Sequence, residues 1–210
     1  MKKTAVDRAY DWLRERIIDG TISEGTFVDE ATVCDATGVS RTPAREAFNR
    51  LEGERFITLV PRKGAQVRAL RSSDLHDTFK ARLMVESFAV SNFCTVKHAI
   101  PPEALRNLSV MDELSDFGSI QNTIAYIEAD RAFHTAVVRT LENPAIMDFF
   151  ESLWRHSSRA AFNRGLWLRS AQWLDLNRSH HHAIIAALTH YDAEAAQAVL
   201  REHFEQNSVA

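Results

Sequence analysis

Glycine and proline are scarce, seven and five in 210 residues, and they are thinly spread. That excludes collagen-like, turn-dense and low-complexity architectures and leaves long helices as the expected content. No apolar run approaches the roughly 20 residues a membrane helix needs. The opening "MKKTAVDRAYDWLRERI" carries a basic pair without the apolar stretch of a signal peptide. A cytoplasmic protein with no membrane partner is therefore expected. Cysteine is rarer still. Cys34 and Cys94 stand far apart, so reduced thiols rather than a disulfide are the expectation.

Net charge is small, −3, but unevenly placed. Residues 1–71 hold 13 basic against 11 acidic side chains, and within them 39–71 hold 8 against 3. Residues 72–210 hold 12 against 17. A basic segment on an otherwise acidic chain points to a polyanion partner for that segment.

Hydrophobic spacing divides the chain in the same way. Val6, Tyr10, Leu13 and Ile17 predict an amphipathic helix over 4–19, which "DGTISEG" breaks. A short helix follows at 29–37 and stops at Gly38. "SRTP" opens another, with Thr42 as its cap and Pro43 in its first turn, running to about Glu52. "RFITLVP", "RKG" and "AQVRAL" then read as a β-hairpin with Gly64 at its tip. Three helices and a hairpin wing within 1–71 make a winged helix-turn-helix. From 72 to 210 no strand-like alternation occurs, and six helices are predicted: 73–95, 102–116, 119–141, 144–165, 171–190 and 192–207. The fold class is thus mainly α, a winged helix-turn-helix domain at 1–71 followed by an all-α six-helix bundle at 72–210.

In the 42–52 helix, Ala44, Ala47, Phe48 and Leu51 form the apolar stripe. Arg45 and Asn49 lie off it, one turn apart, and Arg41 precedes it. The second helix of a helix-turn-helix presents its first residues to base edges in double-stranded DNA. Arginine reads guanine bidentately, and Thr42 can bond a phosphate or a base. Arg62 and Lys63, at the hairpin tip, reach phosphate or an adjoining minor groove. A solvated basic face is the plain alternative on charge alone.

"NRSHHHAIIAAL" (177–188) sets three histidines in a row. At about 100° per residue, Ile184, Ile185 and Leu188 mark a buried face, and His181 falls near its centre. His180 and His182 fall roughly 90° and 110° to either side by the same count. In 119–141, Asp130 and His134 sit four apart on the stripe of Ile127, Val137, Val138 and Leu141, and in the last helix His203 joins Ala196, Val199 and Leu200. A single inward histidine is ordinarily a core residue bonded to a backbone carbonyl. Three with a carboxylate suit a divalent metal: zinc first, with nickel, iron or manganese as alternatives. Arg82 lies at the edge of its own helix's stripe. Ser157 and Arg164 fall on an inward face of 144–165, and Trp154, Trp167 and Trp173 read as core or loop packing.

The stretch "GVSRTPAREAFNRLEGERFITLVPRKGAQV" resembles the DNA-binding signature of the GntR family of bacterial transcription regulators, a likeness extending over 8–68. It departs from the pattern at "SEGT", Thr37 and "GERF", none of them a DNA-contact position. The resemblance implies DNA contacts at Arg41, Thr42 and Arg45, with the wing tip near Gly64 in the minor groove. "FKARLMVESFAV", "EADRAFHTAVVRTLENPAI" and "HHAIIAALTHYDAEAAQAVLREHF" are similar to the FCD effector domain of one GntR branch, the FadR-like one. That implies a metal held by Asp130, His134, His181 and His203, and an arginine, here Arg82, that meets the effector. The expectation is a homodimeric regulator, a repressor in the commoner case, on a palindromic operator, responding to a small organic acid. Its rivals are a sensor for which the ion is the signal, and a helical metal-dependent hydrolase. The hydrolase is disfavoured because no further inward carboxylate is seen near the donors.

Overall fold

The structure is a computed structural model that describes residues 3–69, 72–114, 120–163 and 171–208, with side chains except at 72–75, 120, 155–163, 171 and 207–208. The chain forms two compact units, one centred on the first 71 residues together with Arg159–Asn163, the other on the remainder.

In the first unit α1 spans Ala5–Ile18. Thr4 and Asp7 close a capping box at its start: the Thr4 hydroxyl accepts from the Asp7 amide, and the Asp7 carboxylate accepts from the Thr4 amide, each at 3.1 Å. Helix α2 (Glu30–Thr37) is capped by Asp29 and ends at Gly38, whose φ of 68° is the left-handed turn the glycine was expected to make. Helix α3 (Arg41–Gly53) buries Ala44, Ala47, Phe48 and Leu51. Its cap is Ser40 rather than Thr42. The Ser40 backbone is extended and its carbonyl accepts from the Ala44 amide at 3.3 Å, so Arg41, Thr42 and Pro43 already lie in the first turn. Proline there loses nothing, because first-turn amides have no partner inside the helix.

Strands β2 (Ile57–Val60) and β3 (Gly64–Val67) form the hairpin, pairing Ile57 with Val67 and Val60 with Gly64. A third strand, β1 (Phe27–Val28), lies on the other side of β3, in the order β1-β3-β2. Sequence periodicity missed it because two residues carry no alternation. Its pairing of Val28 with Ala65 explains Gly64. Gly64 has φ 89°, and a Cβ there would stand 2.5 Å from the Val28 carbonyl oxygen and 2.9 Å from the Asp29 Cα. Both the dihedral and the space demand glycine.

The elements that follow are all helices: α4 (Ser72–Val96), α5 (Pro102–Glu113), α6 (Ile120–Arg139), α7 (Pro144–Asn163), α8 (Ala171–Thr189) and α9 (Ala193–Ser208), and the second unit holds all of them but the end of α7 from Arg159. Pro102 opens α5, Asn143 accepts from the Ile146 amide at the start of α7, and Asp192 accepts from the Ala195 amide at the start of α9. Helix α5 ends at Glu113, short of the expected 116, and the residues after Leu114 lie outside the described set. Helix α4 packs on α6 and α9, α8 packs on α9, and α7 adds Phe150, Leu153 and Trp154 to a core shared with Val85, Ala89 and Val138. Cys34 and Cys94 are both free thiols. No helix among the described residues is long and apolar enough to cross a membrane.

Gly64→Ala is expected to destabilise the winged helix by roughly 1–3 kcal/mol through strain at a left-handed position. A urea-unfolding midpoint followed by far-UV circular dichroism measures it; an unchanged midpoint would contradict the close approach to Val28.

Candidate functional site

Helices α6, α8 and α9 bring four side chains to one place. Asp130 and His134 come from α6 at i and i+4, His181 from the middle of α8, and His203 from α9, with one donor atom of each within 4.8 Å of every other. Ring centroids are 5.2 Å apart for His134 and His181, 5.2 Å for His134 and His203, and 4.8 Å for His181 and His203. All three imidazoles are buried and Asp130 is partly buried. Phe133 meets the His181 ring edge-on at 4.8 Å and Phe204 stands beside His203 at 5.4 Å, so aromatic rings wall the cluster.

Hydrogen bonds set which nitrogen each ring presents. His181 Nδ1 is 2.8 Å from the Asn177 carbonyl, which can only accept, so Nδ1 carries the proton. Its Nε2 stands 2.9 Å from Asp130 Oδ1 and 3.3 Å from His134 Nε2. His134 Nδ1 donates to Glu86 Oε2 at 2.5 Å, which likewise turns Nε2 towards the cluster. Burial alone would raise the Asp130 carboxyl, but its close approach to His181, with His134 and His203 beside it, outweighs that and holds the group well below the ordinary carboxylate range. Burial, reinforced by His181 and His134, pushes His203 well below the usual imidazole value. A carboxylate beside three imidazoles, two of them turned by a hydrogen bond at Nδ1 so that Nε2 faces the cluster, is the donor set a divalent first-row ion takes. The residues fit the metal that an FCD domain implies.

Helix α4 supplies what sequence reading missed. Glu86 is 2 % exposed, and its second oxygen accepts from Arg82 Nε at 3.0 Å. It corrects the expectation that no further carboxylate lies near the donors. The signal was available: Arg82, Val85, Glu86, Ala89 and Phe93 share one face of α4, and all are buried. A glutamate between apolar neighbours is easily assigned to the surface when its partners sit on another helix. Burial pushes the Glu86 carboxyl up, and His134 and Arg82 together more than reverse that, keeping it charged. Arg82, expected at the edge of the stripe, is only 3 % exposed. Its guanidinium lies 3.7 Å from the Trp154 ring centroid and 4.8 Å from that of Phe204, and its Nη2 is buried without a hydrogen-bond partner among the described residues.

The two histidines flanking His181 differ from each other. His182 is exposed and meets Asp112 at 3.0 Å, as its angle suggested. His180 is buried, its ring 5.9 Å from that of His203, which corrects its assignment away from the core. Because α9 packs along α8, the buried arc of α8 is wider than its central stripe. His180 remains outside the four-donor set. Ser157 and Arg164 lie outside the described side chains, as does Trp167.

In the first unit Arg41, Thr42, Arg45 and Asn49 are all exposed on α3, and Arg62 and Lys63 are exposed in the turn before Gly64. Arg62 takes a left-handed φ of 65°. Arg45 is held bidentately by Glu30 of α2, Nε to Oε1 at 2.8 Å and Nη2 to Oε2 at 3.2 Å, a partner that sequence reading did not name.

This architecture is matched by known families. The FCD domain matches residues 77–206 and the bacterial regulatory proteins of the gntR family match 5–67. The chain belongs to the GntR family of regulators, in the branch with an FCD domain. Over 210 residues it is 26 % identical to the HTH-type transcriptional repressor GlaR of Escherichia coli strain K12, covering 97 % of this chain and 93 % of that one. It is 32 % identical over 156 residues to the gluconate operon transcriptional repressor of Bacillus subtilis strain 168, covering 71 % of this chain and 60 % of the relative. A crystal structure described as a GntR transcriptional regulator of Rhodococcus sp. RHA1 superposes with a TM-score of 0.73 at 25 % identity, covering 98 % and 96 % of the two chains. This GntR-family chain is a transcription regulator, and the family is not one of enzymes, which removes the hydrolase alternative.

His181→Ala is expected to remove most bound metal and lower the melting temperature, because a ligand of the native state stabilises it. His182→Ala should leave metal content unchanged. Elemental analysis after dialysis reads both; equal loss from the two variants would assign the metal to a surface cluster.

Proposed function

We propose that this regulator binds a palindromic operator as a homodimer through residues 1–71, and that residues 72–210 hold a divalent ion and sense a small organic acid. Arg41, Thr42, Arg45 and Asn49 face the major groove, and Arg62, Lys63 and Gly64 form the wing against phosphate and minor groove. Asp130, His134, His181 and His203 hold the metal, zinc by preference for a nitrogen-rich set of four. When bound, the ion supplies a Lewis-acidic position for an acid's oxygen.

The observation that carries this reading is Arg82 Nη2, a buried donor with no hydrogen-bond partner among the described residues, on a guanidinium tied through Glu86 to His134 of the four-donor cluster. A buried cationic donor left without an acceptor costs stability, and an effector carboxylate would relieve it. Support for an acid comes from relatives named as repressors of gluconate and galactonate operons. An acid that binds one arrangement of the dimer better than the other shifts operator affinity by the difference.

A thermal-shift panel of small organic acids on the zinc-loaded protein tests the ligand class. A stabilising acid should lose its effect in Arg82→Ala. If zinc alone altered DNA affinity and no acid did, the ion itself would be the signal. For the DNA, duplexes selected from a random pool should contain paired half-sites. Arg45→Ala should weaken binding to them by about 1–3 kcal/mol and relax base preference. Lys63→Ala should weaken all sequences alike and flatten the salt dependence. A footprint unchanged by Arg45→Ala would reject the recognition-helix assignment.

A further inference from the structure

Glu86 stands between the two functional groups of the effector unit. Oε2 accepts from His134 Nδ1 at 2.5 Å and Oε1 accepts from Arg82 Nε at 3.0 Å. All three side chains are 3 % exposed or less. Arg82 and Glu86 are four apart on α4, so they share one helical face, while His134 reaches Glu86 from α6. Bulk water plays no part in the arrangement, and neither oxygen can change partner without leaving the other group unpaired.

We propose that Glu86 is a positioning residue for the metal cluster and for Arg82 at once, coupling occupation of the four-donor site to the state of the guanidinium through a single carboxylate. The inference rests on the metal reading of Asp130, His134, His181 and His203. One oxygen keeps the proton on His134 Nδ1 and so leaves Nε2 as the donor turned to the cluster. A carboxylate in that role also strengthens the ring as a ligand. The other oxygen holds the guanidinium by Nε alone. The plane is then fixed over Trp154, and Nη2, without a partner among the described residues, is left for another acceptor. Charge drawn from Glu86 towards Arg82 is charge withdrawn from His134. An anion that shares Arg82 therefore returns carboxylate strength to the histidine, and metal and acid bind with positive cooperativity.

The test uses the full chain and zinc alone, with affinity read by chelator competition. Glu86→Gln keeps the volume and an acceptor for His134 but cannot accept from Arg82 at the same time; it should weaken zinc binding by about 10- to 100-fold. Arg82→Met, which releases the carboxylate entirely to His134, should tighten zinc binding on the order of fivefold. In the E86Q background the same arginine substitution should change it less than about twofold, since interaction between coupled residues disappears once the link is removed. A gain that persists undiminished would mean Arg82 acts on the ion through space, and would overturn the link. The R82M/E86Q double variant removes both charges of the buried pair together and is expected to fold even where the single glutamate variant does not. Nitrogen-15 spectra of histidine-labelled wild type, loaded with zinc, give a readout free of any substitution at Glu86, with His134→Gln assigning the resonance. The Nδ1–H tautomer of His134 is expected, and the Nε2–H tautomer would refute the proposal. Wild-type protein that binds no zinc would remove the metal reading itself, whereas wild-type binding with E86Q unaltered would remove only the role of Glu86.

Discussion

Three imidazoles and two carboxylates lie inside a helical bundle, and the bundle tolerates them only because each is answered by another. An unpaired carboxylate in an apolar interior would take up a proton or unfold its surroundings. Here Asp130 lies against His181 at 2.9 Å and faces His134 and His203, and Glu86 is bonded by His134 and Arg82. The network spans α4, α6, α8 and α9, so the packing of four helices and the placing of the donors are one arrangement. Apolar contacts supply the cohesion, through Val85, Ala89, Val138, Phe150, Leu153 and Trp154. The polar network adds direction, because hydrogen bonds admit few alternative registers.

The same network makes the site rigid in advance of any ligand. His181 is oriented by the Asn177 carbonyl one turn earlier, and Tyr126 donates in turn to the Asn177 side chain at 2.6 Å. His134 is oriented by Glu86, and Arg82 is stacked between Trp154 and Phe204. Groups held this way lose little freedom on binding, which leaves more of the interaction as affinity. The first unit has a parallel in Arg45, already pinned to Glu30 at the surface of α3. That pair is exposed and contributes little to stability, but it limits the directions in which the guanidinium points.

Periodicity carried a great deal of this structure. The helical half followed from apolar spacing, and Asp130, His134, His181 and His203 were each recognisable as polar residues on an apolar stripe. Arg45 and Asn49 were recognisable for the opposite reason, as polar residues off it, with Arg41 just before the helix, and all three are exposed on α3. Stripe geometry describes one helix at a time, and it failed where a second helix changed the surroundings. His180 is buried by α9 rather than by the stripe of α8. Glu86 and Arg82 are buried because α6 and α7 bring His134 and Trp154 to them. Strand β1 exists only as a partner of β3.

The sequence by itself determined which residues can be helical, which face of each helix is apolar, and which titratable side chains interrupt that face, because those are properties of spacing along a single chain. Tertiary structure alone decided who meets whom. It brought Asp130 and His134 to His181, 47 residues beyond His134, and to His203 on the next helix, and it brought His134 to Glu86 across 48 residues. It also turned Gly64 from a convenient turn residue into an obligatory one by placing the Val28 carbonyl where a Cβ would be. Distances between elements arise from packing volumes and hydrogen-bond closure summed over the whole unit, and no local pattern encodes them.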